Sequence, residues 1–175
     1  MTAKYDWIIG VDCGLSGAAV LMDSEFNFTC MFKMPTVPKP GAVKSEIDLP
    51  RLVNDFKDMA IGADPGYSNI IAIVENPGII PTNGAVRLIS ILGSYYMVKG
   101  ALAGIGIQSI DVPAQKWKKQ YDLPGGRHLK KKAVELALQF NPELESVSKE
   151  EADVFEAALV ARYGAVYMLG CGGLT

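Results

Sequence analysis

Four carboxylates carry the chemistry that this sequence offers. Asp12 closes the apolar run YDWIIGVD and is followed at once by the turn Gly14-Leu15-Ser16-Gly17. Glu75 closes a second apolar run, IIAIVE, just ahead of Asn76-Pro77-Gly78. An acid at the end of a core strand, beside glycines, lets a metal ion or a phosphate approach the backbone closely. Asp153 and Glu156 lie three apart in EADVFEAALVARYG, so on a helix they share a face that continues through Ala157, Val160, Gly164 and Tyr167. Between Ala152 and Met168 the only other charge is Arg162. Two acids on the apolar stripe of such a helix repel each other and are costly to desolvate, and a divalent cation relieves both penalties. An all-oxygen donor set suits hard Mg2+ or Mn2+, which keep waters for chemistry. With one histidine, and three cysteines (Cys13, Cys30, Cys171) that lack ligand spacing, no zinc pattern competes.

The acids next to that pair have a simpler reading. Ser148 and Glu151 match a capping box, with Ser148 as N-cap, and Glu150 suits the positive end of a helix. A basic stripe follows a different logic. Between Lys116 and Lys132 stand seven Lys/Arg and His128 against one acid, Asp122. Lys116, Lys118, Lys119, Arg127, Lys130 and Lys131 are therefore candidate contacts to a phosphate backbone, with Trp117 read as a core anchor beneath them. The stripe contrasts with the whole chain, whose formal net charge is −2.

The elements that must position these groups are legible from periodicity. Tyr5–Asp12, Ala18–Met22 and Asn27–Met34 read as three strands joined by short turns, an antiparallel meander. Pro35–Gly41 (PTVPKPG) reads as an exposed, mobile loop. Asp48 caps a helix with Pro50 in its first turn, running to about Ala60. Ile70–Glu75 is a wholly apolar run, as expected of a central strand covered on both faces. A long helix over Gly84–Leu102 follows, with small residues at Gly93, Ser94, Gly100 and Ala103 for close packing. Then come a strand over Gly106–Val112, a short helix over Pro113–Lys119, a basic helix over Arg127–Phe140 and a last helix from Ser148 to about Met168. A meander followed by β/α alternation implies a mixed sheet with helices on its faces.

The 175 residues suit a single domain over residues 1–175. No apolar run reaches the roughly 20 residues a membrane helix needs, and the N-terminus does not read as a signal peptide. Free thiols and these absences point to a reducing, cytoplasmic setting.

In chain order, the blocks IIGVDCGLSGAAVLMD (8–23), IIAIVENP (70–77), the long Gly/Ala helix, DVPAQKWKK (111–119), the Lys-rich helix and EADVFEAALVARYG (151–164) resemble RuvC-type Holliday-junction resolvases, particularly the compact phage-like branch. Each block is weak alone; together they span most of the chain. The resemblance implies an RNase H-like fold, a five-stranded mixed sheet flanked by helices. It implies a homodimer that cuts four-way DNA junctions, the long helix contributing to the dimer. It also implies Mg2+ or Mn2+, two ions per site roughly 4 Å apart, held by Asp12, Glu75, Asp153 and Glu156. The products would carry 5′-phosphates. Cys13 stands where the family usually has proline, and Tyr95-Tyr96 where small residues are commoner. Two nuclease readings stay open beside this one: action on other branched DNA, or on RNA–DNA hybrids. A non-catalytic junction-binding protein is a further alternative, against which the presence of all four acids counts. The V-D-C-G-L-S-G turn also occurs in sugar-kinase and actin-like ATPases, but those repeat the fold twice and need a second phosphate loop.

Overall fold

The computed structural model describes residues 5–38, 45–78, 84–123 and 128–170. Strands β1 (Trp7–Val11), β2 (Ala18–Asp23) and β3 (Phe28–Lys33) come first, then a short pair, β4 (Thr36–Pro38) and β5 (Ser45–Ile47). Helix α1 (Leu49–Ile61), β6 (Ile70–Asn76), α2 (Ala85–Gly104), β7 (Gln108–Pro113) and α3 (Ala114–Gln120) follow. The chain continues with α4 (His128–Phe140), a 3-10 turn at Pro142–Ser146 and α5 (Ala152–Met168). The main sheet has the order β3-β2-β1-β6-β7. Its first three strands form the expected antiparallel meander, while β6 and β7 join β1 in parallel.

Both faces of this sheet are covered, which is why its central strands are apolar throughout. Ile8, Val20, Met22, Ile71, Ile73 and Val112 pack with α4 and α5. Ile9, Val11, Ala19, Leu21, Ala72 and Val74 pack with α1 and α2. Helix α5 lies unusually close to the sheet. Gly10 sits mid-strand in β1, and a Cβ there would collide with the Ala157 carbonyl and with Ala161. Gly164 lies in the same way on Ile73. Two glycines, one on the strand and one on the helix, thus remove the side chains that would hold α5 away.

Several expectations are corrected. The Pro35–Gly41 loop is in part a strand: Thr36–Pro38 pairs antiparallel with Ser45–Ile47, and residues 39–44 lie outside the described ones. Pro38 ends a strand of this two-stranded pair, where a missing N–H is tolerated. The last helix starts at Ala152 rather than Ser148, and the capping box does not form. The Ser148 carbonyl instead accepts the Glu151 N–H at 2.9 Å in a preceding turn. The Glu151 carboxylate lies 3.8 Å from Lys33 Nζ instead of reaching back to the Ser148 backbone. Asp48 does cap α1, accepting the Arg51 N–H at 3.2 Å. Within the chain, Gly93 and Gly100 of α2 face open space, so they do not serve its packing on the sheet. The inner face is Ser94, Tyr95, Val98, Ala101 and Leu102. Tyr167 leaves the buried stripe of α5 and is exposed, its hydroxyl accepting from Gln120 at 3.1 Å. Among the described residues no helix is long and apolar enough to cross a membrane.

Candidate metal centre

The parallel register of β1 and β6 places Val11 beside Val74. The next residues are Asp12 and Glu75, so two carboxylates leave neighbouring strands at the same level, at their C-terminal ends. Alternation along the strands turns both toward α5, the face on which Gly10 meets Ala157 and Ile73 meets Gly164. Glu156, one residue before Ala157, faces them from the helix. One oxygen from each of Asp12, Glu75 and Glu156 lies within 4.8 Å of the others. Glu75 is 7% exposed and Glu156 5%, while Asp12 is half-buried. Asp153, three residues earlier on α5, stands outside this three-oxygen group. Its Oδ1 accepts from Lys130 Nζ at 3.0 Å, and its charge is felt at Asp12 and Glu156.

The turn after β1 fixes Asp12 through its backbone. The Asp12 N–H donates to the Ala18 carbonyl at 3.0 Å, and its Oδ1 accepts the Gly14 N–H at 3.1 Å. Gly17 closes the turn so tightly that a Cβ would collide with the Asp12 carbonyl. Cys13, to which the sequence reading gave no role, is buried and donates its S–H to the Glu75 carbonyl at 3.2 Å. That bond ties the ends of β1 and β6 together. Burial pushes the Cys13 thiol far above its ordinary range, with the Asp12 and Glu75 charges adding to the effect.

Electrostatics decide what this cluster accepts. Burial pushes the Glu75 carboxyl up to about 7, the Asp12 charge adding to the shift and Lys118 opposing it. Burial also raises Asp12, partly offset by the Gly14 N–H, and raises Glu156, partly offset by Lys118. The offsetting cation is built in. Lys118 Nζ lies 3.2 Å from Glu75 Oε1 and 3.6 Å from Glu156 Oε2. Burial works against its ammonium, but the two glutamates outweigh that and hold its pKa above the ordinary value. Three carboxylates therefore converge where water cannot solvate them well, with one ammonium between two of them. An all-oxygen set so poorly compensated fits a hard divalent cation, with Asp12, Glu75 and Glu156 as its ligands and Asp153 at the rim.

The basic stripe divides. Lys118 turns inward to the carboxylates and Lys130 pairs with Asp153. Lys116, Lys119 and Lys131 are exposed, Lys131 lying 3.8 Å from Glu135. Arg127 lies outside the described residues. Trp117 is fully buried, as expected of a core anchor, and Lys118 Nζ rests 4.9 Å from its ring centroid. The inward turn of Lys118 has a local cause: with Trp117 in the core, the next residue of a helix of about two turns projects beside the sheet ends. Of the tyrosines Tyr67, Tyr95 and Tyr96, Tyr95 is buried, Tyr67 packs against the α1/α2 core and Tyr96 is exposed.

No protein-family model matches the sequence, and comparison with curated proteins finds no match. Comparison of folds does. The structure of T. thermophilus RuvC in complex with a Holliday junction substrate superposes with a TM-score of 0.66 at 13% identity, over 95% of this chain and 96% of that one. A second Thermus thermophilus RuvC structure gives a TM-score of 0.45 at 14% identity, over 94% and 97%. The first of these likenesses shows that this chain has the RNase H-like fold of that RuvC structure.

Proposed function

We propose that this chain is a metal-dependent endonuclease that resolves four-way DNA junctions as a homodimer, its single domain carrying one metal centre per protomer. The observation that carries the reading is the convergence of Asp12, Glu75 and Glu156 oxygens within 4.8 Å at the strand ends of a RuvC fold. Asp153 completes the ligand set. Mg2+ or Mn2+, two ions per site, would activate water and neutralise the charge that develops on the scissile phosphate. The chain's own residues do the rest. The Gly14 N–H and the Cys13 thiol hold Asp12 and the Glu75 strand end in place before any substrate arrives. Lys118 keeps Glu75 and Glu156 apart from each other's charge. Lys116, Lys119, Lys130 and Lys131, with Arg127, supply positive charge for the backbone that leads into the site.

The junction as substrate is supported by the fold neighbour bound to a Holliday junction. The dimer is supported by the outer face of α2, where Ile89 and Tyr96 are 71% and 65% exposed. Apolar side chains of that size, flanked by the open Gly93 and Gly100, suit a second copy of the same helix. Free Cys13 and Cys30 fit work in the reducing cytoplasm.

The test is cleavage of four-way junction, linear duplex and RNA–DNA hybrid, each with and without Mg2+. Paired, Mg2+-dependent nicks confined to the junction are expected. Equal cutting of the hybrid overturns junction specificity and leaves the metal nuclease standing.

A further inference from the structure

Beside the carboxylates a cavity of about 360 Å³ opens between the 12–17 turn, the end of β6 and the first half of α2. Asp12 and Glu75 form part of its wall, so it adjoins the candidate metal centre on the α2 side, while Glu156 and Lys118 do not line it. The rest is mainly apolar, with Leu15, Pro77 and Ile91 as its larger surfaces. Ser16 and Ser90 also line it, and neither hydroxyl has a hydrogen bond among the described residues. Among the described residues that line it, none is basic.

These features constrain the occupant. With no basic side chain among its described lining residues, the cavity offers a phosphate no partner. Apolar walls favour an uncharged, flat group, and two unused hydroxyls offer donors and acceptors to its edge. A polynucleotide whose phosphate lies at the carboxylates brings one such group within reach: the base of the adjoining nucleotide. Resting on the nuclease reading above, we propose that this cavity receives the base of a nucleotide flanking the scissile phosphate, and that Ser16 and Ser90 read its edge and set the cleavage preference. Enzymes that do chemistry on a base show that a pocket with apolar walls and hydrogen-bonding groups can hold one outside its stack.

The experiment compares wild type, Ser90→Ala and Ser90→Phe on junctions that carry each of the four bases, in turn, at the positions flanking the cut. The readout is the ratio of single-turnover cleavage rates between the best and the worst base. Wild type is expected to discriminate, and both variants to flatten that ratio by roughly tenfold, the loss typical of one base-edge contact. 2-Aminopurine at the same position, with Ca2+ in place of Mg2+, gives a readout without cleavage. Its fluorescence should rise on binding to wild type and not to Ser90→Phe. A wild-type enzyme that cuts junctions with no base preference, or variants that keep the wild-type preference and fluorescence rise, would overturn the pocket assignment alone. A wild-type protein that cuts no branched DNA would overturn the nuclease reading with it.

Discussion

Replacing Glu75 with glutamine separates the cost of this side chain from its use. In the metal-free chain its carboxyl sits at about 7 against an ordinary 4.5, chiefly because burial disfavours the charged form. A carboxyl raised in the folded state holds its proton more tightly folded than unfolded. The stability it allows is complete below about 4.5 and is lost as pH climbs through about 7. That gap corresponds to roughly 3 kcal/mol above pH 8. Glutamine keeps the shape and never ionises, so it escapes the penalty. It also gives up the charge-assisted bond from Lys118, whose pull is already contained in the value of about 7. Lys118 retains Glu156 as a partner. The net expectation is a gain of up to about 3 kcal/mol at pH 8, or about 6–12 °C in melting temperature for a chain of this length. At pH 5 the carboxyl is neutral in the folded chain and the gain should shrink to less than about 1 kcal/mol. The assay is thermal unfolding in EDTA at both pH values, repeated with Mg2+. Wild type should be stabilised by Mg2+ through mass action and Glu75→Gln should not. A variant less stable than wild type at pH 8 in EDTA, or one that Mg2+ stabilises equally, would refute the reasoning.

Three further outcomes follow from the same geometry. Lys118→Met keeps the stem beside Trp117 but leaves Glu75 and Glu156 without their cation; melting in EDTA should show a loss of about 2–3 kcal/mol, most of it recovered in Mg2+. Gly164→Ala drives a methyl into Ile73; it should cost about 1–3 kcal/mol in chemical denaturation and weaken Mg2+ stabilisation as α5 lifts Glu156 away. Tyr96→Glu places a charge on the outer stripe of α2; sedimentation should show monomers that still gain stability from Mg2+ yet no longer cut junctions in pairs.

Much of the fold was legible because its determinants are local. Apolar runs with no polar alternation, as in Ile70–Val74, announce a strand covered on both faces, and their lengths bound the sheet. The acids were legible for a related reason: a charge at the end of such a run, or inside the apolar helix around Val160, breaks a pattern. The places where the reading went astray depend on non-local facts. Ser148–Glu151 carries a capping signature, but a turn through the Ser148 carbonyl and Lys33 on a distant strand claim those groups instead. Thr36–Pro38 looks like loop until its partner Ser45–Ile47 is seen beside it. Lys118 reads as one more lysine in a basic stripe, and only the burial of Trp117 turns it inward. Cys13 gave no sign of its role, because its partner is a carbonyl 62 residues away. The separation of Asp153 from the other three acids likewise rests on Lys130, which belongs to another helix.

The central claim is that the carboxylates on β1, β6 and α5 form a divalent-metal centre. Anomalous diffraction from crystals of the protein soaked in Mn2+ addresses it directly. The account predicts manganese within coordination distance of Asp12, Glu75 and Glu156, with Lys118 Nζ displaced from between the two glutamates. Manganese bound only elsewhere, with Lys118 still bridging Glu75 and Glu156, would contradict it.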